Sequence, residues 1–528
     1  MEYNWLMENA WLLMFATTML MLILGFPVSF TLSGVAVIWV LFGFVFFDFD
    51  MSIMGALPSR IYGGAITNTL LIAIPLFIFM GAVLEKSKIA EDLLSGMGKL
   101  MSNLPGGLGI SVVIVGAFLA ASTGIVGATV VTMGMMSLPA MLKHKYDPSV
   151  ACGTICAAGT LGQIIPPSVI LILLGDQISN AYVEAQREIG NWSPDPVSVG
   201  DLFVGAIIPG LLLVGLYITY IFIRAVLKPE DLPAIPNDGV NVSELIFKVL
   251  LPPLSLIIVT LGSILSGIAT PTEAAAVASV FAVLLATYRV SESKRLRKRI
   301  KTSVASIIAL LIMGSMFDMR PNSTSLTTID MSMIALGMGI VLYVFFVLFL
   351  SFRVLSQKKI LPHVTKETLL CTSQILVILI GATVFSLVFR AYGGDDAIAK
   401  FLLGLEYSFA VKMLLIMGVL FVLGMFLDFI EIILVVIPII APVMLQEDIS
   451  PVWFAIMIAM NLQTSFLTPP FGFSLFYLRG VAPKSIRTKE MYRGVLPFIG
   501  LQVIAMALLA LFPEMANWLP EVIYGTKF

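Results

Sequence analysis

The sequence predicts an all-α polytopic membrane protein, from its composition and from the length of its apolar runs. Of its 528 residues, 59% are hydrophobic and 12% are charged, against roughly 25% charged in a soluble domain. The mean hydropathy is +1.02, and a net charge of -1 gives no indication of nucleic-acid binding. Several runs suit a helix crossing about 30 Å of hydrocarbon at about 1.5 Å per residue. They include Trp11 to Gly25, Leu70 to Leu84, Val112 to Ala121, Leu202 to Ile223 and Gly337 to Ser351.

The N-terminal region is predicted to stay in the membrane. No cleavage site of small residues follows the first run, and the apolar pattern resumes directly after Pro27. Residues 12–47 fit either two short spans hinged at Pro27 or one long tilted span.

A duplicated unit occupies about Gly106 to Gly175 and again about Phe409 to Tyr477. Each copy has an interrupted apolar stretch, a second apolar stretch, a polar loop and a long apolar helix broken by Pro-Pro. At an offset of 303 residues four prolines coincide, whereas chance gives about a tenth of one coincidence. The pairs are Pro139 with Pro442, Pro148 with Pro451, Pro166 with Pro469 and Pro167 with Pro470.

Charge indicates that the two copies are inverted. The loop Lys143 to Pro148 is basic, whereas its counterpart Gln446 to Pro451 is acidic. Because Lys and Arg collect in cytoplasmic loops, the first copy is expected to enter from the cytoplasm and the second from the opposite side. The other loops fit this assignment, with 224–248, 291–301, 353–366 and 479–493 inside and 176–201, 269–272, 318–330 and 393–397 outside.

The two Pro-Pro breaks are candidate binding positions, because irregular backbone at membrane depth is tolerated only where it is buried in protein or lines a cavity. A proline ring clashes with the carbonyl four residues back and offers no N–H, so each pair frees two carbonyls. Freed carbonyls and hydroxyls are suitable ligands for Na⁺. The alternative is a kink healed by neighbouring Ser and Thr, with no ion. The groups concerned are the carbonyls of Gly162, Gln163, Ser465 and Phe466 and the hydroxyls of Ser168, Thr464, Ser465 and Thr468.

Two interrupted stretches predict re-entrant hairpins. In the first copy Ser122-Thr123-Gly124 interrupts an apolar stretch that looks too short on each side to span. In the second copy the tip carries Asp428 and Glu431, and an acid at membrane depth is a functional candidate. Asp428-x-x-Glu431 is also a capping box that would start the second arm, and the sequence leaves both interpretations open. Helix N-termini at such tips can receive a carboxylate, and carbonyl ends a cation.

Other residues carry less information. Cys152, Cys156 and Cys371 are expected to be buried thiols rather than metal ligands or disulfides. In the turn around Pro271, Thr272 is a plausible N-cap, and Glu273 is open to either a structural or a functional role.

Four strings together resemble the large membrane (DctM-like) subunit of tripartite ATP-independent periplasmic (TRAP) transporters. The resemblance covers nearly the whole chain, in order, and the combination is specific although each string alone is not. The strings are Leu24 to Phe30 (LGFPVSF), Gly159 to Ser168 (GTLGQIIPPS), Ala269 to Ala276 (ATPTEAAA) and Thr468 to Gly472 (TPPFG).

The resemblance implies an ion-transporter-superfamily fold of inverted repeats, with two re-entrant hairpins, two broken helices and an elevator-type mobile domain. It implies a permease subunit, not an enzyme, that imports organic acids across a bacterial inner membrane with Na⁺ as the co-transported ion and no organic cofactor. A periplasmic binding protein would deliver the carboxylate, and a small four-helix membrane subunit would brace the scaffold.

The resemblance and the residue types together give two sets of candidate positions. The substrate candidates are Ser122, Thr123, Gly124, Ser168, Thr468 and Gly472. The Na⁺ candidates are Gly162, Gln163, Pro166, Asp428, Ser465 and Pro469.

Two features depart from the family pattern. Many relatives have a richer serine cluster at the first hairpin tip, whereas this chain reads Thr123-Gly124-Ile125, which weakens the case for side-chain ion ligation there. About seventy-five extra residues, 291–365, add two predicted spans. This combination resembles the branch labelled mannitol or chloroaromatic transport, but a monocarboxylate or 2-oxo acid is the expected substrate.

Seven regions are predicted along the chain. They are N-terminal scaffold spans (1–105), a first transport repeat (106–200), linking scaffold spans (201–290), an inserted two-span segment (291–365), a scaffold span and arm (366–408), a second transport repeat (409–480) and a C-terminal span (481–528).

Other protein classes compete with this interpretation. A stand-alone Na⁺-coupled carboxylate symporter of the same superfamily would need no binding protein. A membrane enzyme would need a catalytic cluster in a water-facing loop, and the outward loops offer only scattered acids such as Asp176, Asp195 and Asp201. A channel is disfavoured because inverted hairpins serve alternating access.

Overall fold

The computed structural model describes residues 9–123, 126–235, 242–316, 328–404 and 408–525, and within these ranges every regular element is a helix. The α-helices are α1 (Ala10–Ile23), α2 (Val28–Phe46), α3 (Leu57–Ile61), α4 (Ala73–Lys86), α5 (Ile89–Leu100), α6 (Gly107–Thr123), α7 (Val126–Lys143), α8 (Pro148–Thr160), α9 (Val169–Glu188), α10 (Val199–Leu227), α11 (Val242–Leu245), α12 (Leu251–Leu265), α13 (Pro271–Val290), α14 (Lys294–Met316), α15 (Thr328–Gln357), α16 (Ile360–Ala391), α17 (Gly394–Gly404), α18 (Phe409–Leu423), α19 (Phe429–Glu431), α20 (Ile437–Met444), α21 (Pro451–Leu467), α22 (Phe473–Val481), α23 (Thr488–Leu511) and α24 (Glu514–Tyr524).

Eight helical segments in the described ranges are long and apolar enough to cross a membrane. The all-α polytopic class predicted from composition is therefore confirmed. The segments are Val28–Phe46, Thr69–Lys86, Val126–Lys143, Val199–Leu227, Pro271–Val290, Thr328–Gln357, Ile360–Ala391 and Thr488–Leu511.

The N-terminal region forms two helices rather than one long tilted span. Helices α1 and α2 pack against each other across a turn that contains Gly25 and Pro27. Gly25 has a φ of +87°, a conformation that a residue with a Cβ rarely adopts. The 14 residues of α1 cover about 21 Å, less than the full hydrocarbon thickness.

A framework of long helices packs together outside the duplicated unit. Helix α16 contacts α2 and α4, and α4 also contacts α13. The Ser279 hydroxyl on α13 donates a hydrogen bond to the Leu76 carbonyl on α4 at 2.8 Å. These four helices lie in the segments assigned to the scaffold from the sequence, and that assignment stays a prediction.

The first interrupted stretch is a hairpin whose two ends lie together. The Gly106 N–H donates to the Leu232 carbonyl at 3.0 Å, and the Asp147 N–H donates to the Asp231 carbonyl at 2.9 Å. The start of α6 and the end of α7 are thus held by one loop. The expectation that both arms are too short to span was wrong, because α7 has 18 apolar-rich residues; the paired ends, not the arm length, identify the hairpin.

The second hairpin has its ends together on the opposite side. Lys412 Nζ, at the start of α18, lies 2.9 Å from Glu447 Oε1, just after α20. Nearby Val452 packs against Gly205 in the second turn of α10, whereas Asp231, which holds the first hairpin, follows the other end of α10. The 29 residues of α10 separate these places by about 43 Å. The two copies are therefore inverted, as the loop charges predicted.

The segment 291–365 contributes α14 and α15, which pack on each other and on α13. Helix α15 is long and apolar enough to cross a membrane. The described part of α14 does not meet that criterion, because it begins with the basic run from Lys294. Most of the predicted outward loop 318–330 lies outside the described residues.

Candidate substrate and ion site

The two broken helices touch at equivalent positions of the two copies. Gln463 Nε2 on α21 donates to Thr160 Oγ1 on α8 at 3.4 Å, and these residues are 303 positions apart. Both side chains are fully buried. Equivalent positions can meet only where the axis that relates the copies passes between them. The axis therefore runs between α8 and α21, just before each Pro-Pro pair.

The same offset relates the starts of these two helices. Asp147 Oδ1 accepts a hydrogen bond from the Val150 N–H at 3.0 Å, and Ser450 Oγ accepts one from the Trp453 N–H at 3.2 Å. A side-chain oxygen at this position satisfies one of the free donors of the first turn. Both helices thus begin at equivalent positions of the repeat, although their capping residues differ in type.

At the second break, the carbonyls that the prolines free have partners within the chain. The Phe466 carbonyl accepts a hydrogen bond from Ser474 Oγ at 2.9 Å. The Ser465 carbonyl accepts one from the Thr468 N–H at 3.1 Å. The peptide bond between Pro469 and Pro470 is cis, as is its counterpart in the first copy.

The hydroxyls around the second break turn back onto α21. Thr464 donates to the Met460 carbonyl at 2.9 Å, and Thr468 donates to the Thr464 carbonyl at 2.7 Å. Ser465 donates to a carbonyl three residues back at 2.8 Å. In this conformation each of these three hydroxyls is bonded to a carbonyl of its own helix. A hydroxyl oxygen that donates one hydrogen bond still has acceptor capacity for a cation.

The first break leaves a buried amide without a partner. Ser168 Oγ donates to the Gln163 carbonyl at 3.3 Å, so this freed carbonyl is also paired. The Gln163 side chain is fully buried, and neither its oxygen nor its nitrogen has a hydrogen-bond partner in the part of the chain that the structure describes. Leaving such a group unpaired costs about 1–3 kcal/mol. Gln163 is therefore a buried amide whose oxygen and nitrogen both keep their hydrogen-bonding capacity.

At the second hairpin tip, Asp428 and Glu431 form the capping box that the sequence allowed. Asp428 Oδ1 accepts a hydrogen bond from the Phe429 N–H at 2.7 Å, and Glu431 Oε2 accepts one from the Asp428 N–H at 3.1 Å. Only 8% of the Glu431 surface is exposed. The cap starts α19 and at the same time holds two carboxyl groups within the membrane-embedded part of the fold.

Packing places this tip against the second break. Gly424 lies in direct contact with Ser465. The rings of Phe429 and Phe466 have centroids 5.8 Å apart, and those of Phe426 and Phe471 are 4.9 Å apart. The candidates at the second tip and the second break therefore lie next to each other.

The first hairpin tip is described only in part. Ser122 and Thr123 end α6, and Gly124 lies outside the described residues. The next helix, α7, has no acidic residue in its first turn. Helix α7 also packs against α22 of the second copy, so the start of α7 lies near the helix that follows the second break.

One residue at this junction was missed by sequence reasoning. Tyr477 on α22 packs against Gly127 in the first turn of α7. It also interacts electrostatically with Asp428 and Glu431 on the other hairpin. Its only sequence signal is a polar aromatic residue seven positions after Pro470.

The turn before α13 has a structural explanation. The N-cap is Thr270, not Thr272, because Thr270 Oγ1 accepts a hydrogen bond from the Glu273 N–H while the Glu273 carboxylate accepts from the Thr270 N–H. Thr272 instead donates to the Thr69 carbonyl at 3.1 Å. These contacts fix the entry of α13 and explain Glu273 without a ligand.

The cysteines Cys152, Cys156 and Cys371 are free thiols. Within the described ranges, no group of three or more His, Cys, Asp or Glu side chains is placed to hold a metal ion.

Comparison with known proteins gives the family. A family model described as the DctM component of tripartite ATP-independent periplasmic transporters matches residues 15–317 and 291–515. The chain is 26% identical over 517 residues to the C4-dicarboxylate TRAP transporter large permease protein DctM of Vibrio cholerae, across 98% of both chains. It is 26% identical over 513 residues to the ectoine TRAP transporter large permease protein TeaC of Halomonas elongata, across 97% of this chain and 99% of that protein.

Two further likenesses are consistent with that family. The sialic acid TRAP transporter large permease protein SiaM of Vibrio cholerae is 26% identical over 507 residues, across 96% of this chain and 97% of that protein. The solved structure of the YdaH transporter of Alcanivorax borkumensis matches with a TM-score of 0.51 and 12% identity, across 88% of this chain and 87% of that one, and supports the fold alone. The family match spans most of the chain, so this chain belongs to the DctM-component family of TRAP transporters and is a large permease subunit, a multi-pass protein of the bacterial inner membrane.

Proposed function

We propose that this chain is the permease of a binding-protein-dependent, Na⁺-coupled secondary importer of organic acids, with monocarboxylates or 2-oxo acids as the expected substrates. Family membership implies a small membrane subunit and a periplasmic binding protein as partners. The observation that carries the proposal is the contact between the acidic hairpin tip and the second broken helix, beside the axis of an inverted repeat.

The ion is proposed to bind on the side of the second tip. The Asp428 side chain caps the helix, and a carboxylate oxygen that accepts one N–H keeps a further lone pair for a cation. Burying a carboxylate is costly unless an opposite charge compensates it, and Na⁺ supplies that charge. Oxygen atoms are the ligands that hard cations prefer. The positions proposed to surround Na⁺ are Gly162, Gln163, Pro166, Asp428, Ser465 and Pro469.

The carboxylate of the substrate is proposed to bind on the side of the first tip. The N-terminus of α19 is already neutralised by its own acid pair, whereas the first turn of α7 carries no acid. A substrate anion is therefore better placed against α7, where the helix dipole favours negative charge. The positions proposed to contact substrate are Ser122, Thr123, Gly124, Ser168, Thr468 and Gly472.

Import is proposed to follow an elevator movement of the two hairpins and two broken helices against the scaffold. Polar links between these units must then separate in each cycle. One is the ion pair of Arg390 on α16 with Glu184 on α9, with N–O distances of 2.8 and 3.2 Å. Another is the hydrogen bond from Asn68 Nδ2 to Asp176 Oδ1 at 2.9 Å.

The test is uptake of a panel of labelled carboxylates into proteoliposomes. The vesicles hold this chain with the small membrane protein encoded beside it, with and without the periplasmic binding protein, under an inward Na⁺ gradient. Uptake that needs both the gradient and the binding protein is the expected result. Na⁺-driven uptake without the binding protein would instead favour a stand-alone symporter, and uptake independent of Na⁺ would overturn the coupling.

A further inference from the structure

We propose that Tyr477 is a specificity-determining residue whose phenol donates a hydrogen bond to an oxygen of the substrate, at the point where the two hairpins meet. This inference rests on the proposed function, because it assumes that the substrate lies between the hairpin tips.

The position of the ring places its polar end at the first hairpin. A Cβ added to Gly127 would lie 2.9 Å from Tyr477 Cζ and 3.0 Å from Cε2. Cζ is the ring carbon that carries the hydroxyl. The phenol group therefore reaches the first turn of α7, close to the tip at which the carboxylate is proposed to bind.

The second hairpin also lies near Tyr477. Tyr477 lies within electrostatic range of Asp428 and Glu431, although it belongs to neither hairpin. On its own helix its ring neighbours are Phe473 and Phe476, with centroids 6.5 and 6.3 Å away. The phenol of Tyr477 is thus flanked by apolar rings and lies near both hairpins.

The hydroxyl is available to a ligand. Tyr477 is half-buried, and no hydrogen bond to its hydroxyl is formed within the described ranges. A phenol in an apolar environment usually finds a hydrogen-bond partner. By contrast, the buried Tyr217 hydroxyl accepts a hydrogen bond from Gln502 Nε2 at 2.8 Å. The unpaired Tyr477 donor fits a partner that is present only when substrate is bound.

The repeat supplies a control for the packing role of this side chain. At the offset of 303 residues, Tyr477 corresponds to Leu174 and Gly127 corresponds to Ile430. Leu174 is fully buried on α9, so the same architectural position is filled by an apolar side chain in the first copy. The fold therefore does not require a hydroxyl at this position, and the Tyr477 hydroxyl can serve in substrate binding.

The chemistry of the junction defines what the phenol recognises. Ionised carboxylates only accept hydrogen bonds, whereas a phenol can donate one. With a cation between the acids and the substrate, the Tyr477 phenol can donate to a substrate oxygen, either of the carboxylate or of a neighbouring oxo or hydroxyl group. A site built around such a donor discriminates against analogues that lack the acceptor.

The test compares Tyr477→Phe with the unmodified chain in the complete three-component system. Loss of one hydrogen bond is expected to raise the KM for substrate about tenfold, equivalent to about 1.4 kcal/mol, while the Na⁺ concentration for half-maximal uptake stays unchanged. Tyr343→Phe is the matched control, because its hydroxyl donates to the Arg299 carbonyl in the inserted segment. Tyr477→Leu copies the first repeat, so it is expected to fold and to show the same loss.

The outcomes separate this inference from the proposed function. If the unmodified system shows no Na⁺-driven uptake of any carboxylate, the proposed function fails and the role of Tyr477 falls with it. If uptake is present and Tyr477→Phe keeps the KM of every substrate, only the role of Tyr477 is overturned. A changed Na⁺ requirement with an unchanged KM would also overturn it, because that would place the phenol with the ion.

Discussion

The two copies of the repeat share one backbone plan but carry different chemistry. Their long helices start at equivalent caps, break at equivalent Pro-Pro pairs and touch through Thr160 and Gln463. The second copy presents Asp428 and Glu431 at its hairpin tip, whereas the first turn of α7 in the first copy carries no acid. The two copies are thus alike in their backbone but differ in the side chains of their hairpins.

Under the proposed function, this difference assigns the cation to the second copy and the substrate carboxylate to the first. A repeated, inverted backbone suits a site that must open to both sides of a membrane. A site that holds both Na⁺ and a carboxylate, however, needs negative groups beside the cation and positive groups beside the anion. Acids on one tip and a helix whose first turn carries no acid on the other can hold a cation and an anion together, which two identical tips could not do.

The largest expected effect comes from removing the charge of Asp428 while keeping its cap. Asn caps a helix as well as Asp does, so Asp428→Asn is expected to fold normally. If the carboxylate holds Na⁺, Na⁺-driven uptake in proteoliposomes falls at least about tenfold, equivalent to about 1.4 kcal/mol or more.

The first copy offers a matched control for that substitution. Asp147 also caps a helix through its carboxylate, but it lies at a hairpin base rather than a tip. Asp147→Asn is expected to leave uptake and its Na⁺ dependence unchanged. Equal behaviour of the two variants would show that Asp428 acts only as a cap and would remove the proposed contrast between the copies.

A methyl group inserted between the second tip and its broken helix is expected to have the next largest effect. A Cβ on Gly424 would clash with Ser465, and overpacking of this kind costs about 1–3 kcal/mol. Gly424→Ala should therefore lower both uptake and the thermal stability of the purified protein. Gly418→Ala on α18, the helix that ends just before Gly424, meets no atom within 4 Å and serves as the control. A similar loss in both variants would mean that the contact with Ser465 has no specific role.

The hydroxyls that pair with freed carbonyls should differ in strength between the copies. Ser474 donates to the Phe466 carbonyl at 2.9 Å, whereas Ser168 donates to the Gln163 carbonyl at 3.3 Å. Ser474→Ala is expected to cost about 1 kcal/mol of stability, the usual value of one hydrogen bond, and Ser168→Ala less. Thermal unfolding in detergent measures both, and a larger loss in Ser168→Ala would mean that Ser168 has a partner besides that carbonyl.

Long-range regularities made much of the fold predictable. Proline spacing revealed the duplication, and loop charge revealed the inversion, because both depend on patterns along the chain. The pairing of the freed carbonyls was not predictable, since the Phe466 carbonyl is satisfied by Ser474 eight residues later. Tyr477 was missed for a related reason: its proposed role depends on contact with Gly127, which only tertiary packing brings near.

The smallest expected effect is a difference between two buried glutamines. Gln463 makes one long hydrogen bond to Thr160, whereas both side-chain polar atoms of Gln163 lack partners among the described residues. Replacing an unsatisfied buried amide by an apolar group of similar size is nearly neutral or stabilising, so Gln163→Met should not lower thermal stability when Na⁺ is absent. If Gln163 ligates the ion, the same variant raises the Na⁺ concentration for half-maximal uptake about twofold or more, equivalent to about 0.4 kcal/mol, while Gln463→Met does not. An unchanged Na⁺ requirement in Gln163→Met would exclude the Gln163 side chain from the ion site.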